Sequence, residues 1–253
     1  FEASAVSYLY YADRVYQINL AIAGIAVGTV SLPVLAKAIK KKNNLNIIKI
    51  QNKSIELCLL LSIPACLGLI IASEEIVNAL FGYGNFSEKN IEMTALALKY
   101  FGYGIPAFAL IKVLGNFFFA RDNTKSPFYI SALVVLLNIS ISLTFFKEIG
   151  FVIIPISTSV STWFGVAIYF VILYKNRSLM LQNYLLRNIL KIIFSTILMA
   201  MVLILGLDYF SENLVYSNKF KSIYLLFVVG FVATIYLITC YLLGILKIKN
   251  YKT

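Results

Sequence analysis

Histidine is missing from all 253 residues of the chain. Its absence removes imidazole bases, histidine metal ligands and Ser-His-Asp triads from the available chemistry. Charge is scarce too: 13% of residues are charged, where soluble domains carry roughly 25%. Hydrophobic residues make up 60%, and the mean hydropathy is +0.86. A soluble protein of this length could bury a large core, but not this much apolar surface. The sequence is that of an integral membrane protein. The three cysteines, Cys58, Cys66 and Cys240, sit inside apolar runs without metal-ligand spacing and read as buried reduced thiols. The alternating segments of about 10 residues that build a membrane barrel are absent, so the fold is expected to be all-α. The chain opens on Phe1 with no charged leader region, which points to a segment whose N-terminal part lies elsewhere.

What is plentiful is hydrocarbon. A membrane-crossing helix needs about 20 apolar residues. Seven stretches meet that need: residues 3–36, 54–71, 94–120, 127–146, 151–174, 189–207 and 222–246. The expectation is a polytopic membrane helical bundle of about seven transmembrane helices. Residues 81–92 and 208–221 read as surface loops. One alternate set of loops carries fifteen Lys and Arg, among them Lys40, Lys41, Lys42, Arg121, Lys175, Arg177, Arg187 and Lys249. The other carries five, Lys89, Lys99, Lys147, Lys219 and Lys221, mixed with seven acidic residues. The positive-inside rule makes the first set cytoplasmic, so the segment starts outside and ends inside. The net charge of +11 then reflects topology and contact with anionic membrane lipids, not nucleic acid.

Against this background the charges inside apolar segments stand out. Asp13 and Arg14 lie in S-Y-L-Y-Y-A-D-R-V-Y-Q, at the head of a long apolar run. Two readings are open. Tyr8, Tyr10, Tyr11 and Tyr16 could form an interfacial aromatic belt from which Arg14 snorkels. Alternatively, Arg14 faces a wet cavity and binds an anion, with Asp13 tuning it; Tyr10, Arg14 and Gln17 share one helix face at i, i+4, i+7. Lys112 is the other intramembrane charge, nine residues before Arg121, or about 13 Å along a helix. It either snorkels or serves a cavity. Gly24 and Gly28 form a G-x-x-x-G, which reads first as close helix packing. Asn138, Ser142, Thr158 and Ser161 are neutral oxygen-bearing residues within spans; such groups bond across helices, and several oxygens together also suit a hard cation.

Taken in order, Y-Y-A-D-R, G-I-A-V-G-T-V-S-L-P-V-L-A-K, L-F-G-Y-G-N-F and I-K-V-L-G-N-F-F-F-A-R-D-N-T-K-S-P resemble the MurJ-type (MviN) lipid II flippase family. The resemblance covers essentially the whole chain, with residues 1–130 most specific. It implies half of a two-bundle alternating-access transporter, corresponding to the eighth to fourteenth of about fourteen helices. The partners implied are lipid II, membrane lipids and the N-terminal half of the same chain. The implied location is the bacterial cytoplasmic membrane, with the start of this segment periplasmic and its end cytoplasmic. It moves the weight on Arg14 to the cavity, where a planar guanidinium suits a pyrophosphate. Asp13, Tyr10, Gln17 and Lys112 are then the other cargo-binding candidates. The resemblance also implies a sodium ion held by Asn138, Thr158 and the Ile154 carbonyl, although Ser142 stands where the family has an aspartate. Residues 1–186 would form the transporter bundle, and 187–253 two additional helices whose groove holds a polyprenyl tail.

Rival readings stay in view. A related flippase or antiporter for another oligosaccharide-lipid or drug shares the superfamily. A retinal protein would need a lysine within the last helix, and residues 222–246 hold none. A polyprenyl-phosphate transferase would want clustered acidic metal ligands at one membrane face, and the cytoplasmic loops offer only Asp122 and Glu56. The expectation is a transporter, not an enzyme, without a cofactor beyond the sodium ion.

Overall fold

A computed structural model describes residues 4–246. Among these residues every regular element is helical. The first long segment is α1 (Ala5–Leu20), a π-helical turn at Ala21–Ile25, and α2 (Ala26–Lys40). Then come α3 (Asn44–Ile71), the short α4 (Ser73–Phe81), α5 (Glu88–Gly102) and α6 (Ile105–Phe119). The remainder is α7 (Lys125–Ile149), α8 (Ile153–Lys175), α9 (Asn183–Tyr209) and α10 (Lys221–Leu242).

Each break has a local cause. Between α2 and α3 the chain turns at Lys42, which adopts a left-handed φ of 51°. The Asn43 side chain then caps α3 by accepting from the Asn46 amide at 3.0 Å. Residues 102–104 read Gly-Tyr-Gly and precede Pro106, and α5 and α6 meet there at a 42° bend. Gly150, at φ 73°, reverses the chain between α7 and α8. The Asn138 amide donates to Thr158 Oγ1 at 2.9 Å, and Ser142 and Ser157 hydroxyls meet at 2.7 Å. The two helices therefore lie side by side.

By length and apolarity alone, five segments could cross a membrane, or six with the bent α5–α6 pair counted as one. That is not the expected seven. The difference lies in Lys125–Lys175, which is one segment by that criterion yet two helices folded against each other. The apolar pattern also hid α4 and the first ten residues of α3. Lys49 and Lys53 fall inside α3, where it runs beyond its apolar stretch.

Three apolar clusters form the interior. Leu35, Ile55, Leu110, Val113, Leu114 and Phe117 join α2, α3 and α6, with Leu173 of α8 packed beside them. Ala12, Val15 and Tyr16 of α1 meet Ala97, Leu98 and Phe101 of α5. Met199, Leu203, Val228, Val232 and Tyr236 bring α9 and α10 together against Leu60 of α3. Outward faces such as Leu226, Phe227 and Phe231 stay exposed and apolar, as a lipid-facing surface requires.

Candidate functional site

The first helix separates its residues into two stripes. Tyr8, Ala12, Val15 and Tyr16 point inward, on helical spacing, and are buried. Tyr10, Arg14 and Gln17 lie on the exposed face. The Arg14 guanidinium stacks over the Tyr10 ring with 4.7 Å to its centroid. Gln17 Nε2 donates to Asp13 Oδ2 one turn back. The tyrosine belt thus does not exist as a unit. Tyr8 is buried and donates to Asn90 Oδ1 at 3.1 Å, Tyr11 packs on Phe81 and Phe86, and Tyr16 stacks on Phe101.

A cavity of about 510 Å³ opens beside α1. Asp13, Tyr16, Gln17, Lys112 and Thr158 line it, with Phe101 and Phe108 as aromatic wall. The structure therefore brings Asp13, Gln17 and Lys112 together. Arg14 and Tyr10 stand outside that lining, on the free face next to it. A second cavity of about 500 Å³ lies between α2, α6 and α7, and Lys112 lines it as well. Lys112 is exposed and has no hydrogen-bond or ion-pair partner among the described residues.

Close approach of the π-helical turn and α2 to α6 shapes the second cavity. A Cβ on Gly24 would sit 3.1 Å from the Ala109 Cα and 3.5 Å from Lys112 Cγ. The Asn116 amide donates to the Gly28 carbonyl at 2.8 Å. The G-x-x-x-G is a packing device here. The π-helical turn at Ala21–Ile25 falls where α1 ends beside the first cavity and Gly24 begins the α6 contact. Such turns insert a residue and shift the helix face that follows.

Sequence reasoning missed Tyr16 as a cavity residue. Its ring is held by Phe101 at 5.3 Å and Phe108 at 5.2 Å between centroids. Its hydroxyl is buried without a hydrogen-bond partner among the described residues, an arrangement that costs about 1–3 kcal/mol. The inward stripe at 8, 12, 15 and 16 was the signal that could have found it.

Asn138, Ile154 and Thr158 also come together. Thr158 Oγ1 accepts from Asn138 and donates to the Ile154 carbonyl at 2.6 Å. Ser157 donates to the same carbonyl at 3.0 Å. These are hard oxygen ligands of the right class for sodium, but Thr158 and Ile154 are bonded to each other and Ser142 adds only a hydroxyl. As arranged, the group is a hydrogen-bonded knot joining α7 to α8.

An apolar groove of about 440 Å³ runs between α1, α3, α9 and α10, lined by residues such as Ile18, Leu61, Gly68, Leu203 and Val232. Polar clamps fix α9 and α10 at both ends of this region. At one end Glu56, 1% exposed, takes hydrogen bonds from Lys53 at 2.6 Å and Asn188 at 3.1 Å. At the other, Lys221 is 1% exposed. It donates to the Gly82 carbonyl at 2.5 Å and the Tyr216 carbonyl at 2.8 Å, between the rings of Tyr83 and Tyr216. Lys221 was expected in a solvated loop, and the structure corrects that.

Comparison with known proteins decides the family. The family model described as lipid II flippase MurJ matches residues 1–225. The chain belongs to the MurJ family. A probable lipid II flippase MurJ from Rhizobium tropici is 36% identical over 200 residues, covering 79% of this chain and 38% of that protein. One from Rickettsia prowazekii is 32% identical over 257 residues, covering 99% and 50%. The solved MurJ structure titled "Lipid II flippase MurJ, inward closed conformation" superposes with a TM-score of 0.77 at 24% identity, over 96% of this chain and 48% of that one; it shows a shared fold. The chain thus spans about half or less of the length of these MurJ relatives.

Proposed function

We propose that this chain forms one helix bundle of a flippase that moves lipid II, a polyprenyl-pyrophosphate glycolipid, across the bacterial cytoplasmic membrane. Family membership supports the cargo, and one observation supports the site. Arg14 is a guanidinium within the apolar first segment, on a free helix face beside a cavity lined by Lys112 and four further polar side chains of α1 and α8, Asp13, Tyr16, Gln17 and Thr158. Intramembrane cations of this kind mark ion or substrate paths. Asp13, Gln17, Tyr10 and Lys112 are the remaining contact candidates. The basic loops support a periplasmic start and a cytoplasmic end for the segment.

The apolar groove between α1, α3, α9 and α10 supports a place for the polyprenyl tail. The clamps at Glu56 and Lys221 support treating 187–253 as an addition fastened to the 1–186 bundle.

Replacement of Arg14 tests the reading in the full-length protein. A clamp on pyrophosphate uses paired guanidinium donors that an ammonium lacks. Arg14→Lys should then impair complementation of a flippase-depleted strain nearly as much as Arg14→Ala. Losing one charge-assisted contact costs about 1.5–3 kcal/mol, roughly one to two decades in an equilibrium constant. Full growth with the Lys variant at normal membrane levels would return Arg14 to an anchoring role.

A further inference from the structure

Helices α5 and α6 part at Gly102-Tyr103-Gly104, and side chains of α8 take up carbonyls at the break. The Gly104 amide donates to the Phe101 carbonyl at 2.9 Å, three residues back, where a regular turn would reach Tyr100. The Tyr100 carbonyl accepts instead from the Ser159 hydroxyl at 2.7 Å. Further along α8, the Trp163 indole N–H donates to the Tyr103 carbonyl at 3.0 Å. Ser159 and Trp163 are one helical turn apart and share a face of α8. The fit is close: a Cβ on Gly104 would sit 2.7 Å from Ser159 Oγ and 3.0 Å from the Phe108 ring. Pro106 has no N–H to offer the Gly102 carbonyl, so the backbone cannot close this break by itself. The break also divides the wall of the cavity beside α1. Phe101 belongs to α5, whereas Phe108 and Lys112 belong to α6. The Tyr16 ring of α1 lies across the two halves, 5.3 Å from Phe101 and 5.2 Å from Phe108.

We propose that the α5–α6 break is a hinge of the transport cycle, and that Ser159 and Trp163 are positioning residues that latch its bent form. The proposal rests on the reading of the chain as part of a flippase. As the bend relaxes, the Gly104 N–H returns to the Tyr100 carbonyl and the Ser159 hydroxyl leaves it. One donor replaces another, so the carbonyl stays satisfied in both forms, as apolar surroundings demand. The released hydroxyl can bond back to a carbonyl of its own helix. Bending at this point moves Phe101 relative to Phe108 and Lys112, and so reshapes the cavity from its wall.

Spin labels at two exposed positions, Glu92 on α5 and Lys147 on α7, report the bend through their separation. The measurement uses the purified full-length protein in lipid nanodiscs, without cargo. Tilting a 15-residue helix by about 10–20° at one end moves its far end by about 4–8 Å. Trp163→Phe keeps a ring and removes the N–H; Ser159→Ala removes the hydroxyl. Each should populate a second distance, shifting the ratio of the two forms about two- to tenfold per lost bond. Gly104→Ala drives the Ser159 hydroxyl aside and should produce the same second distance. Lipid II flipping by each variant in proteoliposomes, per folded molecule, should depart from the parent rate in step with that ratio. One unchanged distance in all three variants, even with a lower thermal midpoint, would make these bonds static fasteners and overturn the hinge. A second distance with flipping at the parent rate would overturn its part in transport. If the cargo reading is wrong, the parent itself flips no lipid II while the distances still shift, so the two failures are told apart. Should Ser159→Ala fail to fold, Trp163→Phe alters a half-exposed side chain and decides the question alone.

Discussion

The two sides of α1 handle charged groups in opposite ways. Toward α3, α9 and α10, the buried charges are fully engaged. Glu56 holds Lys53 and Asn188, and Lys191 donates to the Leu243 carbonyl at 2.7 Å. Lys221 has two carbonyls and two rings, and Tyr236 donates to the Leu60 carbonyl at 2.7 Å. Toward α6 and α8, Lys112 has no partner, Arg14 has only a ring, and the Tyr16 hydroxyl has none. In an apolar medium an unsatisfied polar group is costly and a satisfied one holds helices together. The first side has the chemistry of a fastening. The second keeps unspent groups around two cavities.

Breaking the fastened side should give the largest change in stability. Lys221→Ala strands the Gly82 and Tyr216 carbonyls and removes two cation–π contacts. The expected loss is about 3 kcal/mol, read as a lower thermal midpoint of the full-length protein with earlier proteolysis in 208–221. A midpoint within error of the parent would show that the Lys221 contacts fasten nothing.

Overfilling the contact between the two sides should come next. Gly24→Val places a branched side chain against the Ala109 backbone, which cannot yield as a flexible side chain would. A destabilisation of about 1–3 kcal/mol is expected, with reduced transport because Gly24 lines the cavity between α2, α6 and α7 that Lys112 also lines. Unchanged stability would mean that α2 and α6 can separate freely.

The smallest stability effect belongs to the cavity side. Lys112→Ala removes a side chain without partners, so stability should stay within about 0.5 kcal/mol. Transport measured per folded molecule should nonetheless drop. If stability falls and transport does not, Lys112 is a structural group and the contrast between the two sides fails.

The sequence exposed the elements of this arrangement unevenly. Asp13, Arg14, Gln17 and Lys112 were visible because a charge or amide inside an apolar run is conspicuous at one dimension. Tyr16 was not. It sits among four tyrosines of one short segment, and only its packing between Phe101 and Phe108 distinguishes it from the exposed Tyr10. Lys221 looked like a loop charge, since its ring partners at 83 and 216 come from different loops. Asn138 and Thr158 were marked as polar residues within spans, but their mutual hydrogen bond depended on the reversal at Gly150.

Membrane residence and the all-helical class were settled by the sequence itself. Hydropathy and charge count are sums over local residues, and a bilayer responds to those sums whatever the chain contacts later. Which cations are fastened and which are left open was decided only by tertiary structure. Lys221 and Lys112 carry the same ammonium, and each lies at or within an apolar span. One ends between two rings and two carbonyls because the turn after α4 meets the turn before α10; the other ends at the seam of two cavities because Gly24 lets the π-helical turn press against α6. Desolvation and pairing are properties of the neighbours a fold assembles, and no single stretch of chain contains them.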